Sequence, residues 1–367
     1  MRLSDGPHRP DRALAALAIL TATMVSACND RARTHEKEDQ VDSKARTTRG
    51  GTAGQYFTDI TRQVGLDFVH DNGADGNLDL PEIIVSGVAL FDFDNDADLD
   101  IYFTNGNHNL RTGEVSDGPT NRLYRQEPDG RFTDVTARSG LGDCGYGAGV
   151  AVGDIDNDGY ADVYVTNIGH DQLYRNRGDG TFENITKSAG IRVDGFSSSA
   201  AFLDYDRDGY LDLYIARYVQ WSPKDCYSDK GTPDYCGPLA FPPARDVLLH
   251  NTGDGAFRDV TEHAGISSAS AAAGLGVVCE DFNDDGWIDI YVANDAYANN
   301  LWVNQHDGRF VDDALVLGAA YNMHGMPEAG MGVVAADFDG DEDYDLFMTH
   351  LARETNTLYR NEGPAGG

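Results

Sequence analysis

Basic residues are scarce in this 367-residue chain: 28 Lys and Arg stand against 61 Asp and Glu, a formal net charge of −33. Nucleic-acid binding needs Lys and Arg gathered on one face to neutralise phosphates, and this balance disfavours it. Long apolar runs are lacking too. The longest, Ala13 to Val25, is too short to span a bilayer comfortably. Runs with the helical period are absent after residue 50, so the remainder reads as all-β. Catalytic signatures are also missing. The ten His residues are scattered with no H-E-x-x-H spacing, and no G-x-S-x-G elbow occurs. Gly145-Tyr-Gly-Ala-Gly149 has no following helix to receive a phosphate.

What the chain does contain is one acidic phrase written five times. The copies run Asp92 to Asp100, Asp154 to Asp162, Asp204 to Asp212, Asp281 to Asp289 and Asp337 to Asp345. Each places oxygen side chains at positions 1, 3, 5 and 9 of a nine-residue turn. The candidate ligands are Asp92, Asp94, Asp96 and Asp100; Asp154, Asp156, Asp158 and Asp162; and Asp204, Asp206, Asp208 and Asp212. Asp281, Asn283, Asp285 and Asp289 form the fourth set, and Asp337, Asp339, Asp341 and Asp345 the fifth. Hard divalent cations, Ca²⁺ above all, take oxygen ligands in flexible geometry, and the pattern predicts about five structural Ca²⁺ sites. Position 6 is Gly159, Gly209 and Gly286 in three copies, where a sharp turn wants positive φ. Ala97 and Glu342 take that place in the first and fifth copies, which are expected to be the more irregular. The varied residue at position 7 suits a ligand that donates only its backbone carbonyl. An EF-hand needs flanking helices and Glu at position 12; here Phe103, Val165, Ile215, Val292 and Met348 stand there.

The text around the loops repeats as well. Asn121-Arg-Leu-Tyr, Asp171-Gln-Leu-Tyr and Asp246-Val-Leu-Leu each lead through an Asp-Gly turn into a Phe-initiated strand, a hairpin signal. A Gly/Ala-rich strand, an acidic loop and an alternating strand complete four strands per unit, the content of a propeller blade. The Gly/Ala strands, such as Gly147 to Val152 and Gly274 to Val278, are expected innermost, where blades crowd the axis.

On these residues the units resemble FG-GAP or VCBS repeats, the Ca²⁺-loop repeats of integrin-α-like β-propellers. Leu80-Pro-Glu-Ile-Ile with Gly87 to Asp96, and Ala329 to Asp339, resemble more closely the CRTAC1-like family, which often carries a C-terminal ASPIC/UnbV domain. The resemblance covers residues 56–361 and implies a Ca²⁺-binding propeller of about seven blades. This chain has material for five repeats and a partial one, Asn356 to Gly363, so an incompletely closed, apparently truncated ring is expected.

Residues 1–28 read as an export signal: Arg2, Arg9 and Arg12 precede the apolar run, and Val25-Ser-Ala-Cys28 resembles a lipobox with Cys28 lipidated. Residues 29–54 read as a flexible linker and 55–367 as the propeller, with an insertion at 218–245. Cys226 and Cys236 lie in that insertion and are expected to form a disulfide, which an oxidising compartment permits. Cys144 and Cys279 read as small packed residues; a bond between them is left open. The expected localisation is a bacterial cell envelope, by a lipid anchor facing periplasm or exterior. The expected function is a non-catalytic binding or adhesion module for a protein or glycan. The alternative is a polysaccharide-acting enzyme of lyase or hydrolase type, using a central Tyr or His324 and Glu328 in the loop Tyr321 to Glu328.

Overall fold

The computed structural model describes residues 57–108, 110, 111 and 118–363. The export signal, the linker and Cys28 lie outside the described residues. The first blade is an antiparallel meander of β1 (Val88–Phe91), β2 (Asp100–Phe103), β3 (Arg122–Gln126) and β4 (Phe132–Asp134). The second comprises β5 (Tyr146–Gly153), β6 (Asp162–His170), β7 (Gln172–Asn176) and β8 (Phe182–Asn184). The third comprises β9 (Asp194–Leu203) and β10 (Asp212–Arg217), then, after a small hairpin of β11 (Cys226–Tyr227) and β12 (Pro233–Asp234), β13 (Val247–Asn251) and β14 (Phe257–Asp259). The fourth is β15 (Gly274–Glu280), β16 (Asp289–Asn294), β17 (Asn300–Asn304) and β18 (Phe310–Asp312); the fifth is β19 (Val333–Ala336), β20 (Asp345–Met348) and β21 (Thr357–Tyr359).

The outer hairpins keep one register throughout. Tyr124 opposes Asp134, Tyr174 opposes Asn184, Leu249 opposes Asp259 and Trp302 opposes Asp312. Asp-Gly turns set it: the N–H groups of Arg131 and Thr181 donate to Asp129 and Asp179, and Gly130 and Gly180 follow at φ +76° and +82°.

Second strands of the three inner blades are buried on both faces because each of these blades is stacked between two others. Val163, Tyr164 and Val165 have no exposed surface, and neither do Leu213, Tyr214 and Ile215. Each layer between blades is a separate apolar cluster: Phe91, Tyr102 and Leu123 meet Val163 and Val165 between the first and second. Tyr164 and Leu173 meet Leu213 and Leu249 between the second and third, and Tyr214 and Leu248 meet Ile290 and Trp302 between the third and fourth. Ala293 and Leu301 then meet Leu346 and Met348.

The Gly/Ala strands are innermost. Gly87, Ala148, Ser198, Leu275 and Met331 from successive units line a narrow axial cavity of about 60 Å³. Glycine is required there by close approach: a Cβ on Gly149 would sit 2.7 Å from Ser198 O, and one on Gly276 2.7 Å from Met331 O.

The ring is incompletely closed. On the fifth blade Val334, Phe347 and Leu358 lie in one cross-strand row and are 36%, 40% and 43% exposed. The first blade has its own cover over the outer half: Phe68 stacks on Phe103 at 4.5 Å, Tyr124 donates to Asp67, and the Phe132 N–H donates to Val64 O. Leu90 on its inner half is 49% exposed.

The insertion starting at Tyr218 arches over one end of the axis. Val219 bridges Pro243, Cys226 and Cys236 are disulfide-bonded with a Cα–Cα distance of 5.2 Å, and Tyr235 donates to Glu82. Cys144 and Cys279 are free thiols.

Candidate metal centres

Each acidic loop joins the innermost strand of a blade to its second strand, and all five are knit by the same hydrogen bonds. The position 1 carboxylate accepts the N–H groups of positions 5 and 6: Asp154 takes those of Asp158 at 3.1 Å and Gly159 at 2.9 Å. Asp92, Asp204, Asp281 and Asp337 do likewise. Position 5 accepts from position 7, as Asp96 does from Asp98, Asp158 from Tyr160, Asp208 from Tyr210, Asp285 from Trp287 and Asp341 from Asp343.

The position 9 aspartates form the loop's base. Asp100, Asp162, Asp212, Asp289 and Asp345 are all buried. One oxygen accepts the N–H of position 2, the other an N–H from the end of the blade's third strand; for Asp162 these are Ile155 at 2.9 Å and Asn176 at 2.7 Å. Burial pushes four of these carboxyls up, to about 6 for Asp100, 7 for Asp162, 8 for Asp212 and 7 for Asp289. The backbone donors oppose the shift, and the neighbouring loop carboxylates add to it.

The loops bring carboxylate oxygens within 4.8 Å of one another in four sets: Asp92, Asp94 and Asp96; Asp154, Asp156 and Asp162; Asp204, Asp206 and Asp212; Asp337, Asp339 and Asp345. The fourth loop offers an amide at position 3, where Asn283 accepts the Asp285 N–H. One oxygen of Asp94 and one of Asp156 are buried with no hydrogen-bond partner. Burial, then the adjacent carboxylates, raises both pKa values. A buried, unpartnered carboxylate oxygen among other carboxylates is costly, and a divalent cation is the ligand that relieves it. The residues present therefore fit a hard dication.

Three features escaped the sequence reading. Position 4 also adopts positive φ, at +58° for Asn95 and Asn157, +61° for Arg207 and +55° for Asp284. That strained residue reaches the next blade: Asn95 Nδ2 donates to Gly159 O and Asn157 Nδ2 to Gly209 O, each at 2.9 Å, while Arg207 lies over Trp287. Second, His250 Nδ1 lies 3.1 Å from Asp212 and 3.4 Å from Asp206, and His306 Nε2 lies 2.8 Å from Asp285, so imidazoles join the third and fourth sites. Third, Asn176 Nδ2 donates both to Phe93 O, in the preceding blade's loop, and to Ala161 O in its own. Asn251, Asn304 and Asn361 repeat this pair of bonds. The expected irregularity falls on one loop alone. Ala97 reaches φ +72° with the first loop's bonds intact, whereas in the fifth, with Glu342 at φ +77°, Gly340 adds a contact to Asp337. His324 is exposed on its turn and Glu328 faces His350 at 3.6 Å.

These observations define an all-β, propeller-type protein of five stacked units, four of four strands and a fifth of three, each carrying an acidic loop between its first two strands. The FG-GAP-like repeat profile matches residues 92–165, 154–215 and 281–348, and the chain belongs to that family. It is similar to human cartilage acidic protein 1, 31% identical over 118 residues, which are 31% of this chain and 17% of that protein. The Xenopus tropicalis protein of the same name is 32% identical over 110 residues, 29% of this chain and 16% of that one. The matched stretch thus spans about a sixth of the length of these relatives. Among solved structures, a lectin from Agrocybe aegerita described as recognising non-reducing terminal N-acetylglucosamine aligns over 77% of this chain and 64% of its own, at 15% identity and TM-score 0.44. The Vibrio cholerae biofilm matrix protein Bap1 aligns over 73% and 35%, at 16% identity and TM-score 0.37.

Proposed function

We infer that this protein is an exported, lipid-anchored Ca²⁺-binding propeller that acts as a non-catalytic binding module for a protein or glycan at a bacterial cell envelope. The observation that carries the reading is the set of carboxylate triplets with the buried, unpartnered oxygens of Asp94 and Asp156. Ca²⁺ bound there supplies charge neutralisation and a crosslink across each turn. The protein's own contribution is to pre-form the cradle: positions 1 and 5 are held by loop N–H groups, and position 9 is fixed from behind by the third strand. Because Asn176 and its counterparts tie each loop to its neighbour, occupancy of one site stiffens two blades. The lipobox ending at Cys28 supports export and anchoring, and extracellular Ca²⁺ modules bind at roughly 10⁻⁴–10⁻³ M. The family favours binding over catalysis, and the clustered carboxylates are those committed to the loops.

Calorimetric titration of chelator-treated protein with Ca²⁺ is expected to give about five sites, matching the five loops, and the loaded protein should be retained on isolated envelope and released by chelator. Absence of Ca²⁺ binding, or retention indifferent to chelation, overturns the reading. Turnover of an envelope polysaccharide by the loaded protein would replace it with the enzymatic one.

A further inference from the structure

Among the described residues, two blades share a hydrogen-bonded sheet at one place. The end of β6 pairs with the start of β9, Ile168 with Phe196, Gly169 with Gly195 and His170 with Asp194, so the second and third blades form one eight-stranded sheet. This junction lies at the ends of the second strands, opposite the acidic loops that precede them. Above it opens a groove of about 690 Å³ walled by Asn107, His108 and Leu110 of the first blade on one side and Val219, Gln220 and Trp221 of the insertion on the other. A recognition site works best on a rigid, pre-formed floor, and a continuous sheet provides one. Gly169, at φ +119°, leaves that floor bare, with no protein atom within 4 Å of where a Cβ would be.

The lining differs from the rest of this acidic surface. Of its aromatic members Tyr146, Tyr174 and Phe196 are buried beneath the surface and Trp221 is half-buried, and its single carboxylate is Asp143. Asp143 is spoken for: it accepts from Asn167 Nδ2 at 3.0 Å and from the Gly145 N–H at 3.2 Å. The cationic side chains are balanced locally. His108 sits 3.3 Å from Asp71 and His170 3.6 Å from Asp194, and Arg217 lies near Asp171 and Asp246, whose carboxyls burial raises to about 7 and 6 and the Arg217 charge pulls back in part.

We propose that this groove binds a neutral oligosaccharide. Trp221, half-buried on the groove wall, offers a ring face to the C–H face of a pyranose, and the amides of Gln172, Asn184 and Gln220 suit vicinal hydroxyls. A polyanionic chain finds no uncompensated positive charge here and meets the field of a protein carrying −33. This rests on the binding-module reading and names the ligand and its seat.

The test is calorimetric titration of the Ca²⁺-loaded full chain with cellotetraose, maltotetraose and mannotetraose, and with tetragalacturonate as the charged counterpart. At least one neutral sugar is expected to bind, with tetragalacturonate about tenfold weaker or worse. Trp221→Ala should weaken binding by about tenfold. His170→Ala, at a side chain 80% exposed and so harmless to folding, should weaken it measurably. No neutral sugar binding at millimolar concentration, unchanged affinity in both variants, or tighter binding of tetragalacturonate overturns the proposal. Envelope retention measured alongside separates the two readings: if it persists while the sugars fail, only the groove assignment falls, and if it is lost as well, both do.

Discussion

Ala97 holds the sixth loop position at φ +72° where three sister loops have glycine. A Cβ in the left-handed region costs on the order of 1–2 kcal/mol, so Ala97→Gly should stabilise the protein by about 1 kcal/mol. Gly209→Ala, at φ +90°, should destabilise it by a similar amount, both read from urea midpoints in saturating Ca²⁺. Position 6 was legible because glycine announces positive φ. Position 4 was not, because Arg207 carries no such signal and Asn95 and Asp284, though they tolerate positive φ, are equally at home elsewhere in an acidic turn. Buried Asp171 is a second residue-scale feature. It accepts from the Tyr164 hydroxyl at 2.9 Å and the Asn167 N–H at 2.7 Å, yet burial pushes its carboxyl up to about 7. A carboxyl that holds its proton more tightly folded than unfolded favours folding below the ordinary carboxylate range. That benefit is lost as pH rises toward 7. With Ca²⁺ saturating, Tm should therefore decline between pH 4.5 and 7.5, a span of about three units around these values, and Asp171→Asn should flatten part of the decline.

At the scale of elements, the unit of construction is the blade plus the asparagine that locks it to its neighbour. Asn251 Nδ2 donates to Ile155 O at 2.9 Å in the second loop and to Leu211 O at 3.1 Å in the third, while its side-chain oxygen accepts the Gly253 N–H. Asn251→Ala strands the buried Ile155 carbonyl, worth about 1–3 kcal/mol, and the half-buried Leu211 carbonyl, and should cost about 2–3 kcal/mol in stability. It should also weaken Ca²⁺ at two loops, visible as two altered sites in the titration. A merely local packing defect would alter one or none. The hairpins, the inner Gly/Ala strands and the loops could all be read from spacing, since turns and crowding constrain residue type directly. The lock could not, because an asparagine after Arg175 or His250 looks like the start of a turn, which it also is. The β6–β9 junction was equally invisible: pairing between blades depends on strand length and twist, not on local pattern.

At the scale of the whole molecule, self-repulsion is set against packing. In a chain of net charge −33, the carboxylates clustered in five loops are tolerable when dications neutralise them and strained when these are removed, and binding to the folded state stabilises by mass action. Chelation should therefore lower Tm sharply. The part of that loss due to repulsion among exposed carboxylates is screened by salt, since the Debye length falls from about 10 Å at 0.1 M to about 3 Å at 1 M. Raising NaCl in chelator should then recover a fraction of the lost Tm, while the same salt added to the Ca²⁺-loaded protein should change little. The recovery stays partial because the buried oxygens of Asp94 and Asp156 are beyond the reach of mobile ions and require a ligand. Differential scanning calorimetry over the four conditions checks this. Full recovery by salt alone would mean that the loops are acidic turns needing only screening, and no recovery would mean that coordination, not repulsion, dominates the fold's dependence on metal.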